Sequence, residues 1–265
     1  MSHPAPRDAR VSGGPNNRRQ SDLRITSGAA ENACVLTVHG VLDDTTYLPL
    51  RDAIVKAALA EPTALIIDVT KLVVRSSPAW GVFTSARWQV SEWPDTPIAL
   101  VCAHNRGQNA LRSNGITRYV PAFRTLQSAV TDLAADAARR YRRRMRAVLP
   151  ATISSTARSR ELAAQWLTAW SRTDFIHAVS IVATELIEMA LADTDSPLVL
   201  RVETDGSTVA VAVQHSGSAK TVRRESLGDE ISGLDLIAAN CRVWGSHTSA
   251  SGDTTWVVLG PENRF

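Results

Sequence analysis

The chain is poor in the features that assign a protein quickly to one chemistry. Its 265 residues hold three cysteines, Cys34, Cys102 and Cys241, which form no CxxC pair and no Cys/His cluster. Neither a zinc site nor a disulfide framework is expected, and a reducing compartment fits. The net charge is only +3, too small to neutralise a phosphate backbone by overall charge, so any basic role depends on where the arginines sit. No apolar run reads as long enough to cross a bilayer. The N-terminal "MSHPAPRDARVSGGPNNRRQS" lacks an apolar core, which makes residues 1–24 a flexible leader rather than a signal peptide and points to the cytoplasm.

What remains is a globular composition, 44% apolar and 21% charged, in a length that favours two domains over one. Over 25–136 strand-like and helix-like segments alternate. "CVLTVHG" (34–40), "ALIIDV" (64–69) and "IALVCA" (98–103) read as strands, and 47–60, 77–90, 107–114 and 124–136 as helices. This order predicts one α/β domain. Beyond it, 157–171 and 174–192 read as two helices. "LVLRVET" (198–204) and "VAVAVQH" (209–215) then read as strands joined by the tight "DGS" turn. A loop, a short helix near 233–240 and strands near 242–247 and 254–259 complete an α+β domain over 153–262.

Between the two lies "ARRYRRRMRAVLP" (138–150), with six arginines from Arg139 to Arg146. A solvated linker or helix over 137–152 is the plain reading. A weak patch for acidic lipid, nucleic acid or protein surfaces is the sharper one. Only Tyr141 interleaves the run and no base-reading motif accompanies it, so no specific nucleic-acid partner is expected.

"SSP" at 76–78 follows an apolar strand and precedes an apolar helix. Capping explains one hydroxyl, with Ser77 as cap and Pro78 in the first helical position. Ser76 is left over. The alternative is a phosphoacceptor, because a phosphate at a helix N-terminus meets free N–H groups while changing the surface charge by about −2.

"GVLDDTTYLPLRDAI" (40–54), "LIIDVTKLVVRSSPAWGVF" (65–83) and "ALRSNGITRYVPAFRTLQSAV" (110–130) resemble, in order and spacing, a STAS domain of the bacterial anti-sigma-factor antagonist type. That resemblance implies a mixed sheet with helices. In this family a strand, to which Asp68 would belong, leads through a short loop and Asp-Ser-Ser/Thr-Gly into a helix. The first hydroxyl there is phosphorylated by a partner kinase. Carried over, Ser76 is the phosphoacceptor candidate with Ser77 beside it, and Asp43, Thr46, Arg75 and Pro78 are partner-contact candidates. Arg75 replaces the usual Asp and Pro78 the usual Gly, which reverses a charge and stiffens the loop.

"DFIHAVSIVATELIEMALADTDSPLVLRV" (174–202), "VAVAVQHSGSA" and "ISGLDLIAANCRVWG" resemble the ATP-binding sandwich of the GHKL family, above all the serine kinases that act as anti-sigma factors. The resemblance implies a general-base position at Glu185 and a magnesium-ligating Asn position, here Met189. A thioether is a poor ligand for a hard ion. The adenine-binding Asp position is His215 and the glycines reduce to Gly217 and Gly233, with Ile231 where the lid has Gly. His215 alone reads as a partly exposed strand-end residue and Glu185 as a solvated helix residue.

With metal ligation, adenine recognition and phosphate wrapping all altered, no cofactor, no metal and no catalytic residue are expected. The expected function is non-enzymatic regulation of sigma-factor activity by partner switching. The partner is an anti-sigma factor kinase or a sigma factor, and homo-oligomers are possible in principle. An active kinase phosphorylating a STAS domain in cis or in trans is the alternative.

Overall fold

The computed structural model describes residues 23–216, 237, 241–249 and 252–263. The leader expected over 1–24 therefore lies outside the described residues except for its last two. These open a strand that the sequence pattern had not marked, β1 (Leu23–Ala30), which pairs antiparallel with β2 (Ala33–Leu42). Parallel pairing then adds β3 (Ala64–Val74), β4 (Ile98–Val101) and β5 (Ala122–Phe123) in simple spatial order.

Strand β3 is apolar at successive positions because both faces of this sheet are covered. Leu65, Ile67 and Val69 pack toward the face carrying α1 (Tyr47–Leu59), α2 (Gly81–Gln89) and α3 (Asn105–Ser113). Ala64 and Ile66 pack toward α4 (Leu126–Arg139), whose Ala129, Val130 and Leu133 close the other side. The mixed sheet with helices is as expected.

The arginine run is only partly linker and helix, since Arg139 ends α4 and residues 140–142 connect onward, but the rest of it is a strand. Residues Arg143–Leu149 form strand β6, antiparallel to β7 (Leu198–Thr204). Its alternation explains this: Ala147 and Leu149 join the core under the helices, while Arg144 turns to the opposite face and finds acceptors there. The second sheet continues with β8 (Val209–His215), β9 (Val243–Ser249) and β10 (Gly252–Leu259) in the order β6-β7-β8-β10-β9, antiparallel throughout. Helices α5 (Ser154–Ala169) and α6 (Ile176–Asp193) cover one face. The fold of this half is thus a two-layer helix-on-sheet sandwich.

In β8 the valines 209, 211 and 213 face the helices, while Ala210 and Ala212 face the first domain together with Trp256 and Val258. The first domain is therefore the second layer over this sheet's outer face. One expectation fails at α6. Residues Thr173–Asp193 are long and apolar enough to cross a membrane by composition. In the fold, Ala178, Val179, Val182, Leu186 and Ile187 of this helix are buried, which accounts for its apolarity by packing on the sheet.

Candidate functional site

Strand β3 delivers the chain to the serines. Ser76 is extended, with φ −130° and ψ 139°, and opens a 3-10 turn over Ser77–Trp80 that runs directly into α2. Ser76, not Ser77, holds the cap position, so the expected capping role of Ser77 is corrected by one residue. The turn starts early because it tucks Ala79 and Trp80 into the core. The carbonyl of Ser76 accepts from Ala79 N at 3.1 Å, but its side chain makes no capping hydrogen bond. Arg75, Ser76, Ser77 and Pro78 are all exposed.

The neighbouring turn after β2 is built differently. Asp43 Oδ1 accepts from Thr45 N at 3.0 Å and Thr45 Oγ1 at 2.7 Å. Thr46 Oγ1 accepts from Asp43 N at 2.9 Å and donates to Val41 O at 2.9 Å. Thr46 is only 6% exposed, so it shapes the turn and offers no surface contact, contrary to expectation. Asp43 reaches Arg75 only loosely, at 4.0 Å.

Behind the serines a cavity of about 540 Å³ separates the end of β3 from α3, lined among others by Lys71, Arg75, Ser76, Ser77, His104 and Arg106. His104 fixes this corner: its Nδ1 accepts from Gly107 N at 2.9 Å and its Nε2 donates to Thr70 O at 3.1 Å. Glycine suits position 107, since a Cβ there would collide with Cys102 Sγ. Burial pushes the Cys102 thiol above its ordinary value, which makes it a packing group rather than a nucleophile.

Along the outer side of α2, two adjoining cavities of about 360 and 520 Å³ share Gly81, Thr84 and Tyr119. Trp88 and Tyr119 meet there edge to face at 6.1 Å although they are 66% and 55% exposed. Sequence reasoning missed this aromatic pair. In sequence each aromatic merely follows an arginine, Arg87 and Arg118, which no helical period singles out.

In the second half, Glu185 and Met189 lie one turn apart on α6, both half-buried, with Met189 packed against the core. One carboxylate and one thioether do not make the oxygen set that magnesium demands, so these residues do not fit magnesium-ATP held as the resemblance implies. His215 is 7% exposed rather than partly solvated. It sits on the inner face between Leu198 and Asp253 across the strands, and its Nδ1 is buried without a hydrogen-bond partner among the described residues. Gly217, Ile231 and Gly233 lie outside the described residues. No group of three or more His, Cys, Asp or Glu able to hold a metal occurs among those described.

The arginines once expected as a linker fasten the two halves together. Arg142 donates to Glu203 and to the carbonyls of Pro94 and Asp95, and Arg144 donates to Glu203 at 2.8 Å and to Glu61 O at 3.2 Å. Asp95 is held by Arg87 of α2 at 2.8 Å and by Arg140 at 2.9 Å. Arg201, 6% exposed, reaches Leu59 O at the end of α1 and Gln214, with Glu61 at 3.7 Å. Trp93 and Trp256 pack beside them with centroids 6.0 Å apart. Burial pushes the Glu203 carboxyl above its ordinary value against the pull of Arg142 and Arg144.

Residues 23–129 match the model of the STAS domain family. Among solved structures the chain is similar to an anti-sigma factor antagonist from Mycobacterium paratuberculosis, with 21% identity over 43% of this chain and 95% of that one and a TM-score of 0.38. It is also similar to an anti-sigma-factor antagonist (STAS) domain protein from Planctomyces limnophilus, with 16% identity over 41% and 96% of the two chains and a TM-score of 0.35. A third is the Bacillus cell fate determinant SpoIIAA in its phosphorylated form, with 14% identity over 42% and 99% and a TM-score of 0.32. No curated protein sequence matches the chain. The N-terminal domain is a STAS domain.

Proposed function

We propose that this chain is a non-enzymatic, cytoplasmic regulator of sigma-factor activity that works by exchanging protein partners. The STAS surface around Ser76 engages an anti-sigma kinase. The second domain is a kinase-like sandwich of the GHKL type that no longer transfers phosphate. In the modified state, the γ-phosphoryl group of ATP has passed to Ser76 Oγ, with ADP and the hydroxyl proton leaving. Ser77 is the neighbouring acceptor candidate, and Asp43, Arg75 and Pro78 border the contact.

The observation that carries this reading is the placement of Ser76. Its hydroxyl is exposed and uncapped at the head of α2, in a domain of the STAS family. Exposed Pro78, Trp88 and Tyr119 continue the same side of α2. The arginines Arg142 and Arg144 are spent on the seam between the domains, which weakens the reading of the run as an acidic-surface anchor.

The test is calorimetric binding of a GHKL-type anti-sigma kinase from the same host to the wild-type chain and to the chain carrying phosphate on Ser76. An affinity change of at least tenfold is expected, and equal affinities overturn partner exchange at this residue. Incubation with labelled ATP and Mg²⁺ is expected to give no transfer by the chain itself. Transfer that disappears in Glu185→Ala would establish the active kinase instead.

A further inference from the structure

The cavity of about 540 Å³ beside Ser76 and Ser77 is lined by three cationic side chains, Lys71, Arg75 and Arg106, and by no carboxylate among the described residues. Lys71 and Arg106 make no ion pair among the described residues, and the contact of Arg75 with Asp43 at 4.0 Å is marginal. At the contact between the domains, by contrast, Arg142 and Arg144 are answered by Glu203. Three like charges around one opening repel one another, and an unanswered cluster of this kind is complementary to a compact polyanion.

We propose that this groove is a binding site for a phosphate monoester dianion. Arg75 and Arg106 offer forked N–H donors and Lys71 a point charge, the combination that suits tetrahedral phosphate oxygens. The positive end of α3, whose first turn begins at Asn105, adds to the field. Two sources share this chemistry: a phosphate esterified to Ser76, which lines the same cavity, and the phosphate of a free small ligand. The first source rests on the proposed role of Ser76; the second does not. In the first case the groove neutralises the new charge in place. Modification then alters the hydrogen bonding and shape of the surface more than its charge.

The test uses the full chain in two forms. With phosphate on Ser76, phosphorus NMR is expected to show its second ionisation about one unit below the ordinary value near 6. The double substitution Lys71→Gln/Arg106→Gln should return it to that value. Without modification, titration with inorganic phosphate is expected to give saturable amide shifts at Ser76 and Gly107, weakened at least tenfold by the double substitution and by added salt. A depressed ionisation identifies the esterified source. Saturable binding with a normal ionisation identifies a free ligand. Neither effect in wild type overturns the proposal. Both substituted side chains are exposed, so the variant folds, and circular dichroism checks it. Neither arm contains a partner protein, so a failure here leaves partner exchange standing, and a failure of partner exchange leaves this site standing.

Discussion

At the seam between the domains, Arg142, Arg144 and Arg201 are each held by carbonyl or carboxylate oxygens and are half-buried or buried. Beside Ser76, Lys71, Arg75 and Arg106 stand in the open around a cavity with no acid in its walls among the described residues. The contrast separates two uses of positive charge. A buried arginine is tolerable when most of its donors are satisfied, as in Arg201, where Nε has no partner among the described residues but the terminal nitrogens reach Leu59 O and Gln214, and then it fixes which surfaces meet. An exposed one contributes little to stability and stays available to an outside anion. The second domain is thereby docked on α1 and on the loop after α2, whereas the head of α2, where Ser76 lies, stays open.

Removing the seam's acid should break this contrast most severely. Glu203→Ala leaves Arg142 and Arg144 without their shared carboxylate, and the cost should be about 3 kcal/mol, read as a lower urea midpoint of the full chain. An unchanged midpoint would mean that the seam contributes no stability. On the other side, Gly107→Ala forces a Cβ against Cys102 Sγ and against His104 Cε1 at 2.7 Å. It should cost about 1–3 kcal/mol and distort the wall of the groove, shifting the amide resonances of Lys71 to Ser76. A variant with wild-type stability and spectrum would show that this corner can yield.

The same contrast explains what the sequence made legible. Strand β3 and the hairpin of β7 and β8 could be read because their apolar runs and the Asp-Gly turn are local signals. Residues 143–149 could not, because the partners of Arg142 and Arg144 are Pro94, Asp95, Glu61 and Glu203, far away in the chain. Without them an arginine run looks solvated. Strand β1 escaped for a related reason: "LRITSGAA" is an edge strand, mostly exposed, so burial imposes little pattern on it. At the site, Ser76 was legible from its place between strand and helix. The burial of Thr46 was not, because it depends on a turn in which one hydroxyl both donates and accepts.

A smaller effect sharpens the comparison through pH. Burial pushes the His247 imidazole below its ordinary value, with Asp52 pulling it up and Arg51 down from α1 and Asp253 pulling it up from the neighbouring strand. A depressed folded value means that the unfolded chain binds the proton first. Stability is therefore complete above the ordinary imidazole value, about 6.5, and is lost as pH falls through the folded value. The urea midpoint should fall between pH 7.5 and pH 5, and His247→Gln should remove part of that fall. An identical pH profile in the variant would mean that this histidine does not report on the docked face.

The smallest effect is the most telling about the groove. Arg106→Gln deletes an exposed cation that pairs with nothing among the described residues, so stability should stay within about 0.5 kcal/mol of wild type. Removing one of three like charges even relieves repulsion, which makes a slight gain as natural as a slight loss. A loss comparable to that of Glu203→Ala would mean that Arg106 is a structural arginine like those at the seam, and the distinction between committed and available charge would collapse. A neutral result shows that Arg106 is not committed to the fold, as the proposed groove requires.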